Sequence, residues 1–260
     1  MFRTTGYVVS AALVVWSAQP APASASDASR QAAAAQPAQA TTAEEVVATN
    51  LAARGGLEKL KSLQSARITG RIVAEGRELP VTVWSKRPNL MRRQVLAGDQ
   101  RILSGFDGTT AWTVHPAFGL TPRTQTGAQA EGARNDAEFD NVFVDYREKG
   151  RTIELVGTET INGRPAHHLR LTRKTGQVQH HYIDAENGQE LRFVATVEQG
   201  GRKAEFVTEY SDYRQVDGVT VPFTMRQSVN GTPNSEVIFE KIEFNVPIDD
   251  TLFKAPPARQ

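Results

Sequence analysis

Leu79-Pro80-Val81-Thr82-Val83-Trp84-Ser85-Lys86-Arg87-Pro88-Asn89-Leu90-Met91 and, one strand later, Asp107-Gly108-Thr109-Thr110-Ala111-Trp112 form the stretch that decides the fold. Strand side chains alternate, so Val81, Val83 and Ser85 share one face while Thr82, Trp84 and Lys86 share the other. Arg87 is next in the Val81 set and places a cation where the pattern calls for an apolar side chain. Pro88 fixes its own φ, keeps Arg87 extended and removes a ladder donor, which ends the strand or puts it at an edge. A local choice that breaks its own pattern marks a candidate functional position.

Working outward, the flanking residues read as further strands: 66–74, 79–86, 89–96, 100–106 and 110–115, with Asp107-Gly108 as a hairpin turn. Upstream, Thr42-x-x-Glu45 is a capping box, and Val47 with Leu51 spaces one apolar face of a helix. Gly55-Gly56 stops that helix, and Leu57, Leu60 and Leu63 give a further short turn or two. Downstream, residues 117–134 read as a long loop rich in Gly, Thr, Gln and Ala. Asn135-x-x-Glu138 then reads as a helix start. Phe139, Val142, Phe143 and Tyr146 fall at helical spacing, in a helix ending near Gly150.

The second half is punctuated by turn pairs at Asn162-Gly163, Thr175-Gly176, Asn187-Gly188, Gly200-Gly201, Asp217-Gly218 and Asn230-Gly231, which predicts antiparallel hairpins. Leu191, Phe193, Ala195 and Val197 alternate with Glu190, Arg192, Thr196 and Glu198, so one face is buried and one is wet. The sum is about eleven antiparallel strands in two runs, with helices before and between them. A curved sheet of that kind needs cover on its apolar face, and these helices are available to supply it.

Lys86-Arg87-Pro88-Asn89-Leu90 followed by Asp107-Gly108-x-Thr110-x-Trp112 resembles the pattern of the LolA family of periplasmic lipoprotein carriers, which has a membrane-anchored relative in LolB. The resemblance implies a mainly β fold with α: an incomplete, half-open antiparallel β-barrel closed by lid helices, with acyl chains in its hollow. It also implies that Arg87 holds the lid shut in the empty carrier. On that reading Val81, Val83, Pro88, Leu90, Met91, Trp112, Phe139 and Phe143 are the candidates for contact with cargo. The implied partners are an acylated lipoprotein or lipid, an inner-membrane release complex and an outer-membrane acceptor. The likeness in letters covers residues 86–112; the Ala-rich segment before the domain and the hairpin-rich second half depart from the compact carrier pattern.

Other features bound the function. Phe2-Arg3-Thr4, the apolar run Tyr7–Ala18 and Ala23-Ser24-Ala25 read as an export leader over residues 1–25, cleaved near Ala25. Residues 26–41, mostly Ala, Gln, Ser and Pro, read as a disordered tether; 42–254 as a single domain; 255–260 as a loose tail. The chain has no cysteine, which excludes a lipid-anchored cysteine, disulfides and thiol chemistry. A formal net charge of +1 speaks against a nucleic-acid partner. His167-His168 and His180-His181 lie across one hairpin and are the best enzymatic suspicion. Neighbours in a strand face opposite ways, so each pair offers one ligand per face, and no metal or cofactor is expected. The expectation is an exported, periplasmic binding protein and not an enzyme. The alternative is a lipid- or lipoprotein-sensing module of the same fold.

Overall fold

The computed structural model describes residues 41–199 and 202–257. The leader, the tether up to residue 40 and the last three residues of the tail lie outside them. The described chain opens with α1 (Ala43–Ala53) and α2 (Leu57–Ser62). Five strands follow: β1 (Ser65–Ala74), β2 (Arg77–Lys86), β3 (Leu90–Ala97), β4 (Gln100–Asp107) and β5 (Ala111–Val114). After a 3-10 turn at Pro116–Phe118 come the short β6 (Arg123–Thr124) and α3 (Gly127–Asp136). The second run is β7 (Thr152–Ile161), β8 (Arg164–Thr172), β9 (Val178–Asp184), β10 (Glu190–Gln199), β11 (Arg202–Val216), β12 (Val219–Val229) and β13 (Thr232–Phe244). A second 3-10 turn, Asp250–Phe253, follows.

All thirteen strands belong to one antiparallel sheet in the order β6-β5-β4-β3-β2-β1-β13-β12-β11-β10-β9-β8-β7. Every neighbour is consecutive in the chain except β1 and β13, whose pairing joins the two runs. The edges are β6 and β7, which do not pair with each other, so the barrel is incomplete. The segment connecting them, α3 and residues 137–151, therefore crosses from one edge of the sheet to the other. The turns carry the backbone the sequence calls for: Asn162-Gly163, Asp217-Gly218 and Asn230-Gly231 all have positive φ at both residues, as type I′ hairpins require.

Helices cover one face. Val46 and Val47 of α1 pack with Phe143 on Leu169, Leu171 and Ile183. Leu60 and Leu63 pack with Val144 on Val219. Met91, Phe106 and Ala111 lie under Ala137, with Ala130 and Ala133 of α3 beside it. The capping box of α1 forms as expected, with Thr42 and Glu45 exchanging bonds.

Two local expectations are corrected. Residues 139–150 form no helix; 142–150 are a run of turns. Asn141 Oδ1 accepts from Phe143 N at 2.9 Å, a side chain-to-backbone bond that competes with the helix, and Asp145 has φ of 51°, which breaks right-handed winding. The helix instead lies one segment earlier, in the expected loop, and Asn135 belongs to its last turn. Its sheet-facing stripe is partly buried alanine, which carries too little apolar contrast to show as periodicity. The strand count exceeds about eleven partly through β6, two residues drawn from that same loop.

Candidate functional site

The register places the quoted stretch. Val81, Val83 and Ser85 pair across with Val95, Arg93 and Met91, which pair on with Ile102, Ser104 and Phe106. This is the helix-covered face, so Val81, Val83 and Met91 lie on it, and Phe139 and Phe143 reach it from the crossing segment. Trp112, Leu90 and Pro88 do not. Trp112 pairs with Gly105 and, through it, with Arg92 on the opposite face. There it is 1% exposed and donates from Nε1 to the Phe253 carbonyl at 2.8 Å. Leu90, two residues before Arg92, falls on that outer face too, and Pro88 is exposed in the turn. What buries Trp112 is the C-terminal 3-10 turn, which Arg92 also holds through the Leu252 carbonyl at 2.9 Å. An aromatic of this size marks burial without marking which face buries it.

Arg87 sits at the end of β2 where the sheet, α2 and the crossing segment meet. Its Nε donates to the Leu63 carbonyl at 2.7 Å and its Nη2 to the Leu60 carbonyl at 3.1 Å. These carbonyls end α2, where helix acceptors lack intrahelical partners and the dipole favours a cation. Nη2 also lies 2.6 Å from Asp140 Oδ1, and the guanidinium stands over the Phe139 ring at 5.2 Å. One planar fork thus joins α2 and the crossing segment to the sheet.

The crossing segment is tied down by a wider network. Glu138 takes Lys149 at 3.0 Å, Arg151 at 2.5 Å and Arg173 of the turn between β8 and β9 at 3.2 Å. Arg151 also donates to the Val142 carbonyl at 2.7 Å, and Asp140 takes Lys149 at 3.2 Å. Burial raises the Glu138 and Asp140 carboxyls, but bonds and charge from Arg151, Arg87 and Lys149 outweigh it, and both are held below their ordinary values. On the other side, α1 is docked by Asn50 Nδ2 on the Gly188 carbonyl at 2.8 Å and by Arg54 on Glu190 at 3.2 Å. Glu190 also accepts from His181 Nδ1 at 2.7 Å, and the His181 ring lies between Phe143 and Phe193.

The four histidines split by face as strand alternation requires. His181 faces the helices; His168 and His180 are on the outer face, where His168 Nε2 and His180 Nδ1 share a hydrogen bond of 2.8 Å. His168 Nδ1 meets Glu159 at 2.7 Å, and its ring stacks on Tyr182. The buried partners Asp140, Glu138, Arg151 and Glu190 escape sequence reading. Glu138, Asp140 and Arg151 share the crossing segment while Arg87, Arg173 and Glu190 lie far from it in sequence, and nothing in their local spacing distinguishes them from surface charges.

Space remains on the helix-covered face between the crossing segment and β9–β12. This cavity, about 340 Å³, is bordered by Asp136, Glu138, Arg173, His181, Phe193 and Tyr210 among others. Charged side chains border it. The apolar parts of the face are filled by α1, α2, α3 and the crossing segment themselves.

An open antiparallel barrel with helices laid across it defines the class: this is the LolA-like fold. Among solved structures, the chain is similar to a LolA superfamily protein from Nitrosomonas europaea, with a TM-score of 0.56 at 15% identity over 83% of this chain and 99% of that one. It is similar also to a DUF1329 family protein from Desulfovibrio piger, with a TM-score of 0.57 at 14% identity over 82% of this chain and 97% of that one. A third is a domain assigned to outer-membrane lipoprotein sorting from Vibrio parahaemolyticus, with a TM-score of 0.52 at 13% identity over 80% and 94%. No family model and no curated protein matches the sequence.

Proposed function

We propose that the protein is a binding protein of the cell envelope, exported to the periplasm, that shelters acyl chains of a lipid or lipoprotein on the helix-covered face of its sheet. The fold supports this reading, and so does its likeness to the domain assigned to outer-membrane lipoprotein sorting. The observation that carries it is Arg87: one guanidinium bonds two elements that cover the apolar face, so breaking its bonds uncovers that face. In the state described here the apolar surface is filled by the protein's own side chains. Cargo exchanges with them, gaining about 0.8 kcal/mol per buried methylene. Release is favoured when the Arg87 bonds re-form, a two-state equilibrium biased by what occupies the sheet. Transfer from an inner-membrane release complex to an outer-membrane acceptor completes the role, and the chain acts as a carrier and not as an enzyme.

The test is native mass spectrometry with organic extraction of protein recovered from the periplasm, for wild type and Arg87→Leu. The expected result is copurified lipid or acylated peptide, with more retained by the variant. If neither form carries lipid or binds an apolar dye, the reading is wrong.

A further inference from the structure

The outer face of the sheet, opposite the helices, carries a cleft that the carrier reading does not use. Strand register builds its floor. Arg92, Gly105 and Trp112 form one cross-strand row, and Gln94, Leu103 and Val114 form the next on the same face. Leu96 and Arg101 pair beyond them. The C-terminal 3-10 turn lies on the first row, and open space remains over the second. Pro256 and Pro257, which follow that turn, make one wall; Pro116 and Leu120, which follow β5, make another. The space between them is about 700 Å³, within the range of sites that take small molecules.

Two kinds of surface meet in the cleft. Leucine, valine and proline line one part, while two arginines, Arg92 and Arg101, stand against a single carboxylate, Asp99. Arg92 is half-buried and held in place: its Nη1 donates to the Leu252 carbonyl at 2.9 Å, and its guanidinium stands 5.7 Å from the centre of the Trp112 ring. Those contacts position the cation without neutralising it, and its Nε has no partner. Arg54, Arg87, Arg151 and Arg173 each pair with a carboxylate, whereas Arg92 and Arg101 have none within ion-pair distance among the described residues. A cation drawn partly out of water without a counter-ion is costly, and an oxyanion offsets that cost through charge-assisted bonds to the planar fork. A second observation points the same way. Leu120, in the wall of the cleft, is 50% exposed, and Phe118 beside it is 62% exposed, so apolar surface is left uncovered next to the unpaired cations.

We propose that this outer cleft binds an anionic amphiphile, with a carboxylate or phosphate group between Arg92 and Arg101 and an alkyl chain against Leu103, Val114, Pro116 and Leu120. The head supplies the counter-ion that the two guanidiniums lack, and the chain covers apolar surface that now faces water. The site stands on the face opposite the helices, so filling it leaves the Arg87 bonds in place. It does not depend on the carrier reading.

The sequence supplies its own reporter. Beyond residue 25 the only tryptophans are Trp84 and Trp112, and both neighbour Arg92 on the outer face. A brominated chain in the cleft therefore quenches their emission more strongly than one across the sheet. The experiment is a quenching titration of protein recovered from the periplasm with bromododecyl phosphate, and with bromododecyl trimethylammonium as the cationic counterpart. Wild type is expected to be quenched saturably by the phosphate and to bind the cation at least roughly tenfold more weakly, the scale of one partly desolvated ion pair. Arg101→Gln should weaken the phosphate roughly tenfold, and Leu120→Ser roughly fivefold through lost apolar contact. Both side chains are exposed, so melting of the two variants should match wild type, and Arg87→Leu should bind as wild type does. Absence of quenching, equal binding of the two head groups, or unchanged binding in both cleft variants overturns the site. Inorganic phosphate that competes at the same concentration as the alkyl phosphate overturns the amphiphile. Quenching that appears only in Arg87→Leu puts the chain on the covered face, which overturns the cleft and leaves the carrier reading standing.

Discussion

Arg87 serves three acceptors with one side chain, and Leu in its place leaves the Leu63 and Leu60 carbonyls without that donor and Asp140 with Lys149 alone. The half-buried setting makes the expected loss about 2 kcal/mol, read as a lower urea midpoint. The carboxyls around it set a pH dependence. Glu138 and Asp140 have folded values below their ordinary 4.5 and 3.8, so the unfolded chain binds protons first as pH falls. Their stabilisation is present above those ordinary values and is lost as pH drops through the lower folded ones. The urea midpoint should therefore fall on acidification below about pH 4, and fall less in Glu138→Gln. At this scale Arg87 was legible because it broke an alternating pattern beside a proline. Glu138 was not, because a charge after a weakly apolar helix looks the same whether it faces solvent or a cavity.

Between β3, β4 and β5 both faces of the sheet are covered, by α3 on one side and by the C-terminal 3-10 turn on the other. Gly105 makes the outer cover possible, since a Cβ there would lie 2.6 Å from the Trp112 ring and 2.8 Å from the Met91 carbonyl oxygen. Gly105→Ala must displace the indole or the strand and is expected to cost about 1–3 kcal/mol. Phe253 is 0% exposed and anchors the turn, so Phe253→Ala is expected to cost about 3–5 kcal/mol. The two are told apart from a general loss of folding by tryptophan fluorescence, because uncovering Trp112 shifts its emission to the red while the other strands stay paired. The alanine stripe of α3 explains why that helix hides from sequence reading. Ala130, Ala133 and Ala137 allow close approach to Met91 and Phe106 but supply little hydrophobic contrast. The segment 139–150 errs in the other direction, with strong helical spacing overridden by Asn141 and Asp145.

At the scale of the whole chain, the pairing of β1 with β13 brings the start of the domain against its end. Ala66 pairs with Phe244, and Ile68 with Ile242. Such long-range pairing is slow to form, since the chain between must be closed before any bond rewards it. Hydrogen exchange should find its slowest amides in β1, β12 and β13, at the centre of the strand order, and its fastest in β6 and α3 at the open edge. Uniform protection across the sheet would contradict a barrel held at its middle and open at its rim. The sequence by itself determined the hairpins, through turn pairs of the Gly, Asn and Asp that most readily take positive φ, and it determined the β-rich class through alternation. It also singled out Arg87 by the misfit of a cation in a valine row. Only the tertiary structure decided that Trp112 faces outward, that α3 and not the Phe139 segment is the helix of the crossing, and that charged side chains border the space left on the covered face. Local propensity and period are written within a few residues of one another. Which face of a strand is covered, and which charge is left without a partner, depend on segments that meet only when the sheet has formed.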